Sequence, residues 1–292
     1  MKISGIIQLS FILLCSPLIS GLIKKAKNFF RMRQGASVFQ PYFNLAKLFS
    51  KDESVSRNCS WIFHYTPVIV FASMAVAASM IPVFTRAPMG RAGDILVLIF
   101  IMAFARFFLS LAGLDAGSAF GGMGSSREMF ISSLVEPVML LSLFTVSLQS
   151  GSTDPGAISS FAGSRLSACV AAAAFFIAVL AETSRIPVDN QETHLELTMV
   201  HEAMVLEYSG RSLAFIEWAS YIKQMVFLSI VTYMVPPHWG LPGYLLKMPV
   251  LLGAIALIEV SLAKMRLFRL VDLFGFAFVL SVMSVIMSVL GW

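Results

Sequence analysis

Apolar residues along this chain come in long unbroken blocks, not in alternation. Stretches such as 68–81 and 95–104 are hydrophobic at almost every position. A membrane-spanning β-strand would instead alternate over about ten residues. A helix that is apolar all round fits a bilayer, and about 20 such residues cross its hydrocarbon core of about 30 Å. On this pattern the chain is all-α, a polytopic membrane protein with eight transmembrane helices at about 3–23, 61–83, 94–114, 128–149, 165–183, 212–235, 245–263 and 271–291. The expected organisation is a single transmembrane domain over 1–292. Its two long connections are a basic loop at 24–60 and an acidic loop at 184–211. No internal repeat stands out, and no matched pair of broken helices suggests an inverted-repeat transporter.

Charge then sets orientation. Charged residues make up 13% of the chain, against about 25% in soluble domains. Fourteen of the 21 Lys and Arg residues fall in the odd-numbered connections and five on the opposite side. Arg106 and Lys223 lie inside spans. The positive-inside rule places the odd connections in the cytoplasm and both termini outside. The first span carries only Lys2 before it and bulky Leu14 before Cys15, with no small-residue cleavage site, so a retained helix is expected. Cys15, Cys59 and Cys169 are widely spaced and form no metal or iron–sulfur motif. Net charge of +5 is no nucleic-acid signal in such a chain. No nucleophile–base pattern or phosphate loop is visible.

Against that background, residues 181–210 stand out. They hold six of the sixteen acids (Glu182, Asp189, Glu192, Glu196, Glu202 and Glu207), two of the four histidines (His194 and His201) and one cation, Arg185. Glu192 and Glu196 share a helix face, where like charges raise at least one pKa. His194 and His201 are seven apart and titrate near neutrality. Together they are suited to pass protons from cytoplasmic water towards Glu182. The spacing H-x6-H matches no zinc pattern, so no metal is expected in this chain. An acidic loop that docks a basic partner is the alternative reading.

Ionisable residues also occur within spans: Arg106, Glu136, Glu182, Glu217, Lys223 and Glu259. Each costs about 2.5–3.5 kcal/mol at a helix centre and must face the bundle interior or water. Proton conduction is one reading and structural pairing, for instance of Arg106 with an acid, is the other. Pro137 follows Glu136 and frees the carbonyl of Ser133, which predicts a kink with room for water. Residues 114–127, which include Asp115 and Arg127, are rich in glycine and serine. They read as a tight turn that lets a helix or partner approach. The basic loop interleaves cations with Phe29, Phe30, Phe39, Tyr42 and Phe43. It suits an amphipathic segment on the anionic leaflet or under a soluble subunit.

The run A-E-T-S-R-I-P-V-D at 181–189, with E-Y-S-G at 207–210, resembles the large loop of the subunit 1 family of respiratory complex I. So does G-S-S-R at 124–127 with Glu136 nine residues after the arginine. The departures, Val188 after the proline and N-Q-E-T-H-L-E-L in the acidic run, look more like the membrane-anchor subunit of group 4 membrane-bound [NiFe]-hydrogenases, of the hydrogenase-4 component C and formate hydrogenlyase type. The resemblance implies a non-catalytic subunit of an oxidoreductase complex. Large and small hydrogenase subunits, iron–sulfur subunits and antiporter-like membrane subunits are its expected partners. The nickel–iron centre and iron–sulfur clusters are expected in those partners, with no cofactor in this chain. By resemblance, Glu182, Arg185, Asp189, Glu192, Glu196, Glu207, Arg127 and Glu136 belong to a proton-entry region and subunit interface. Glu202, His194, His201, Glu217, Lys223 and Glu259 join them on the reading of the residues alone. Arg127, Arg185, His194, His201 and Asp115 are expected to face the redox subunits. The alternatives are subunit 1 of an NADH:quinone oxidoreductase that forms a quinone chamber, a freestanding ion transporter, and a passive membrane anchor.

Overall fold

The computed structural model describes residues 3–56, 59–83, 93–160, 166–189, 199–236 and 240–291. Among these, every regular element is a helix. In chain order they are α1 (Ile3–Phe30), α2 (Gln40–Phe49), α3 (Trp61–Met80), α4 (Ile95–Asp115), α5 (Ala119–Ser150), α6 (Pro155–Ser160), α7 (Leu166–Glu182), α8 (His201–Val205), α9 (Gly210–Met234), α10 (Gly240–Ser261) and α11 (Leu267–Val289). Seven of these, namely α1, α3, α4, α5, α9, α10 and α11, are long and apolar enough to cross a membrane. The expected fifth span is α7, a shorter apolar helix with 17 described residues. That length is at the lower limit for crossing, and 161–165 before it lie outside the described residues.

Local chemistry sets the helix ends. The side chain of Ser60 accepts from Ile62 N at 3.2 Å at the start of α3, and Asp94 accepts from Leu96 N at 2.8 Å at the start of α4. Each fills one of the donors that a helix N-terminus leaves open. Ser118 does the same for α5, accepting from Gly121 N at 3.1 Å. The fourth span therefore begins at Ala119, nine residues earlier than hydropathy alone suggests. The glycine-rich stretch holds the connection only at 116–118, with Gly117 at a φ of 65°, and from Ala119 on forms the first turns of a helix. Its small residues serve packing: a Cβ on Gly124 would sit 3.0 Å from the carbonyl oxygen of Val200 and 2.9 Å from Ala203 Cβ. Without one, α8 lies directly on α5.

Four prolines sit within long helices, Pro17, Pro67, Pro137 and Pro249. Pro17 cannot donate to Leu13, which leaves that carbonyl open within α1. Trp218 of α9 fills the gap, donating from Nε1 to Leu13 O at 3.0 Å, and Ser16 Oγ donates to it at 3.1 Å. α5 continues through Pro137, and Ser133 lies on its exposed flank.

The helices pack around a continuous buried apolar cluster that draws on α1, α3, α4, α5, α7, α9, α10 and α11. α11 lies against α5 and α7, α3 against α4 and α9, and α1 against α9 and α10. α1 runs on to Phe30, so Lys24, Lys25 and Lys27 belong to a helix and not to the loop. α2 then turns back against α1 and α9, with Pro41 and Leu45 buried and Phe49 stacked edge-on to Phe215. The same end of the bundle carries residues 181–189 and 199–210, where acids and cations come together.

Candidate functional site

The geometry follows from how α7 ends. Ser184 takes a positive φ of 50°, while Ser184 N donates to Ala181 O and Arg185 N to Leu180 O, both at 2.9 Å. This is a left-handed cap that closes a helix through two backbone bonds, with serine where glycine is usual. The next turn is held by Val188 N and Asp189 N, which donate to Arg185 O at 2.9 and 3.1 Å. Reversing the chain here keeps Arg185 and Asp189 inside the bundle, at 7% and 2% exposure.

Two ion-pair networks result. In the first, Arg106 of α4 donates from Nη1 to Glu182 of α7 and from Nη2 to Glu136 of α5. Lys223 of α9 holds the other oxygen of Glu182 at 2.8 Å. Glu128 of α5 is buried beside this group, in the fields of Lys223, Glu182 and Arg106. Three carboxylates thus surround two cations. The Glu136 side chain is 38% exposed, at the base of a groove of about 330 Å³ between α4 and α5, walled by Phe100, Phe104, Phe107 and Met129. In the second network, Glu259 of α10 accepts from Arg185 Nη1 at 2.9 Å and pairs with Lys27 Nζ of α1 at 3.0 Å. Arg185 Nη2 also donates to Gln224 Oε1 of α9 at 3.1 Å.

A third arrangement pins the neck of the acidic loop. Asp189 accepts from Lys264 Nζ at 2.6 Å, from Val200 N at 3.0 Å and from His201 N at 3.3 Å. Arg127 Nη1 donates to Met199 O at 3.2 Å and Met265 N to Pro187 O at 2.9 Å. His201 Nε2 lies 3.4 Å from Ser220 Oγ. Burial pushes the His201 imidazole below its usual value, against the opposing pull of Glu202 and Asp189.

The sequence-expected residues therefore separate. Glu136, Glu182 and Lys223 meet in the first network, and Arg185 and Glu259 in the second. Arg185, expected to face soluble partners, instead points into the bundle. Asp115 ties α4 to α3, accepting from Ser60 N at 2.8 Å. Glu217 lies apart from both networks, near Tyr221 and Lys24. Glu207 is exposed and Glu202 half-buried. Glu192, His194 and Glu196 lie outside the described residues. Sequence reading missed Glu128, Lys27, Gln224 and Lys264 as members of the site. Glu128 stands next to Arg127 and four positions after Gly124, on the inward face, a placement that α5's early start makes visible. Among the described residues no three His, Cys, Asp or Glu side chains gather as metal ligands.

Fold and site together define a multi-pass helical membrane protein whose spans converge on buried, linked ion pairs. The family model described as NADH dehydrogenase matches residues 3–290, and the chain belongs to that family. It is 34% identical over 240 residues to hydrogenase-4 component C of Escherichia coli (strain K12), covering 80% of this chain and 75% of that one. It is 33% identical over 286 residues to formate hydrogenlyase subunit 4 of the same organism, covering 90% of each. An NADH-quinone oxidoreductase subunit of Orientia tsutsugamushi (strain Ikeda) is 24% identical over 296 residues, 90% of this chain and 84% of that one. Among solved structures, a chain of the membrane-bound sulfane sulfur reductase (MBS), an archaeal respiratory membrane complex, has the same fold. Its TM-score is 0.85 at 16% identity, over 97% of this chain and 98% of that one.

Proposed function

We propose that this chain is the membrane subunit of a hydrogenase-type respiratory complex of the formate hydrogenlyase kind. It anchors a nickel–iron and iron–sulfur arm and couples electron transfer there to proton or sodium-ion movement. The observation that carries this reading is the first network: Arg106 is shared by Glu136 and Glu182, Lys223 closes the far side, and Glu128 leaves the group with one carboxylate more than cations. Such a group exchanges a proton with little rearrangement, because shifting the arginine from one acid to another changes which carboxylate carries the charge. Coupling needs two states of different proton affinity, biased by the redox partner. The 181–210 segment is the element suited to switch, since one end carries Glu182 and the other emerges at the face where the cations are concentrated. On this reading that face is cytoplasmic and both termini are periplasmic. Half-exposed Glu136 opens towards a neighbouring antiporter-like membrane subunit.

The 33–34% identity to hydrogenase components, against 24% to a quinone oxidoreductase subunit, favours the hydrogenase partner set. A quinone-reducing complex is the second reading, supported by the same family. The test is purification of the tagged chain from its native membrane. Co-purification of nickel and iron–sulfur proteins with hydrogen-evolving activity is expected. Quinone-dependent NADH oxidation, or a chain that purifies alone and conducts ions, contradicts it.

A further inference from the structure

One face of α2 is packed and the other is open, and the way the helix is held fixes what the open face meets. Tyr42, near the start of α2, donates from its hydroxyl to Leu14 O of α1. Phe49, at the end, packs edge-on to Trp218 with ring centres 6.2 Å apart, and Trp218 Nε1 donates to Leu13 O. Both ends of α2 are thus tied to adjacent residues of α1, although a helix of 10 residues is about 15 Å long. α2 therefore runs across α1, and since α1 spans the membrane, α2 lies roughly in the membrane plane. It also sits deep. Leu13 and Leu14 fall within the apolar stretch of α1 that crosses the membrane. Past Phe49 the chain is stitched to the start of α9, where Glu53 accepts from Ser212 N at 2.7 Å and Ser54 N donates to Ser209 Oγ at 2.8 Å. α2 is a ledge held at both ends.

Pro41 and Leu45 are the buried side of that ledge. The outer side carries Phe39 at 58% and Phe43 at 63% exposure, and Leu14, where Tyr42 docks, is 63% exposed. At this depth such side chains meet acyl chains, and a soluble partner resting on the membrane surface does not reach them. Charge adds the second half of the argument. Residues 24–51 hold seven cations and no acid. Glu259 takes Lys27, Lys24 lies in the field of Glu217, and Asp52 stands beside Lys51. Lys25, Arg33 and Lys47 are exposed, with Lys47 one turn after Phe43. Lys25 shares a face of α1 with Gly21 and Asn28. Val38 lies directly against Gly21 and Gly35 against Asn28, so Lys25 flanks the segment that leads into α2. Aromatic side chains at acyl depth with cations beside them are how an in-plane helix engages an anionic leaflet.

We propose that the outer face of α2 and the adjoining flank of α1 form a binding site for anionic phospholipid. Acyl chains lie against Phe39, Phe43 and Leu14, and headgroup phosphates are drawn to Lys47 and Lys25. The site fixes this end of the bundle in its leaflet and stands apart from the ion-pair networks and from the coupling role proposed above.

The experiment uses the assembly as it purifies from its native membrane, placed in nanodiscs of equal parts phosphatidylcholine and phosphatidylglycerol. The photo-reactive p-benzoylphenylalanine replaces exposed Phe43, and its adducts are identified by mass. Adducts to phospholipid are expected, with phosphatidylglycerol in excess of phosphatidylcholine. Lys47→Gln should lower that excess by about fivefold, the share of one cation at an anionic surface, while the total yield of lipid adducts persists. Lys47→Arg should keep the excess, and Lys25→Gln reads the same prediction from the other helix. Adducts to a partner polypeptide, or none to lipid, overturn the proposal. So does a phosphatidylglycerol excess that is absent in the wild type or unchanged in both glutamine variants.

Discussion

Arg106 on α4 and Glu182 at the end of α7, 76 positions apart, form a buried pair that draws Glu136 and Lys223 into one group. Removing one partner of a buried pair strands the other charge, at about 3–5 kcal/mol. Arg106→Met should therefore destabilise the purified protein by about that amount in denaturant unfolding. Combining it with Glu182→Met should cost less than the sum of the two single changes. Additive costs would show that the pair is not coupled.

The clasp at Asp189 predicts local dynamics. Asp189→Ala removes the acceptor of Val200 N and His201 N and the partner of Lys264. Losing such bonds costs about 1–3 kcal/mol, so amide exchange at 200 and 201 should quicken by about tenfold or more. Exchange at wild-type rates would mean the neck is held by other contacts, such as Arg127 to Met199.

Trp218 and Pro17 make a linked pair. Trp218→Phe leaves Leu13 O with Ser16 alone and should cost about 1 kcal/mol. In a Pro17→Ala background the helix supplies its own donor to Leu13 O, so the same change should cost measurably less. Equal penalties in both backgrounds, measured by thermal unfolding in one detergent, would contradict the explanation.

His201 gives a pH dependence with a definite sign. Its pKa in the folded protein lies below the unfolded value of about 6.5, so the unfolded state binds the proton more readily. The stabilisation is present above about 6.5 and is lost as pH falls through the lowered folded value. Wild-type stability should therefore decline more steeply than that of His201→Gln as pH drops from neutral towards 5. Parallel curves would contradict the burial of the imidazole.

Much of the fold could be read in the sequence, because crossing a bilayer is a local demand. Among the described residues, unbroken apolar blocks located the seven long apolar helices and the shorter α7. What could not be read depends on pairing between distant residues. Lys27 reads as a loop cation until α1 is seen to continue to Phe30 and deliver it to Glu259. Arg106 reads as a cation in search of any acid, and only the approach of α5 and α7 shows that it takes two. Glu128 hides behind its neighbour Arg127, because glycines made the first turns of α5 look like a connection. Arg185 looks like a docking residue in an acidic loop, whereas the left-handed cap at Ser184 turns it inward.

Glu136 offers the most direct test of coupling, because its side chain is 38% exposed and a neutral amide there should leave the bundle folded. The measurement is ions moved per electron transferred by the purified complex in sealed vesicles, for the wild type and Glu136→Gln, with assembly checked by co-purification. Retained electron transfer with ion movement lost is the predicted result. An assembled Glu136→Gln complex that moves as many ions per electron as the wild type would contradict a coupling path through the Glu136–Arg106–Glu182 group.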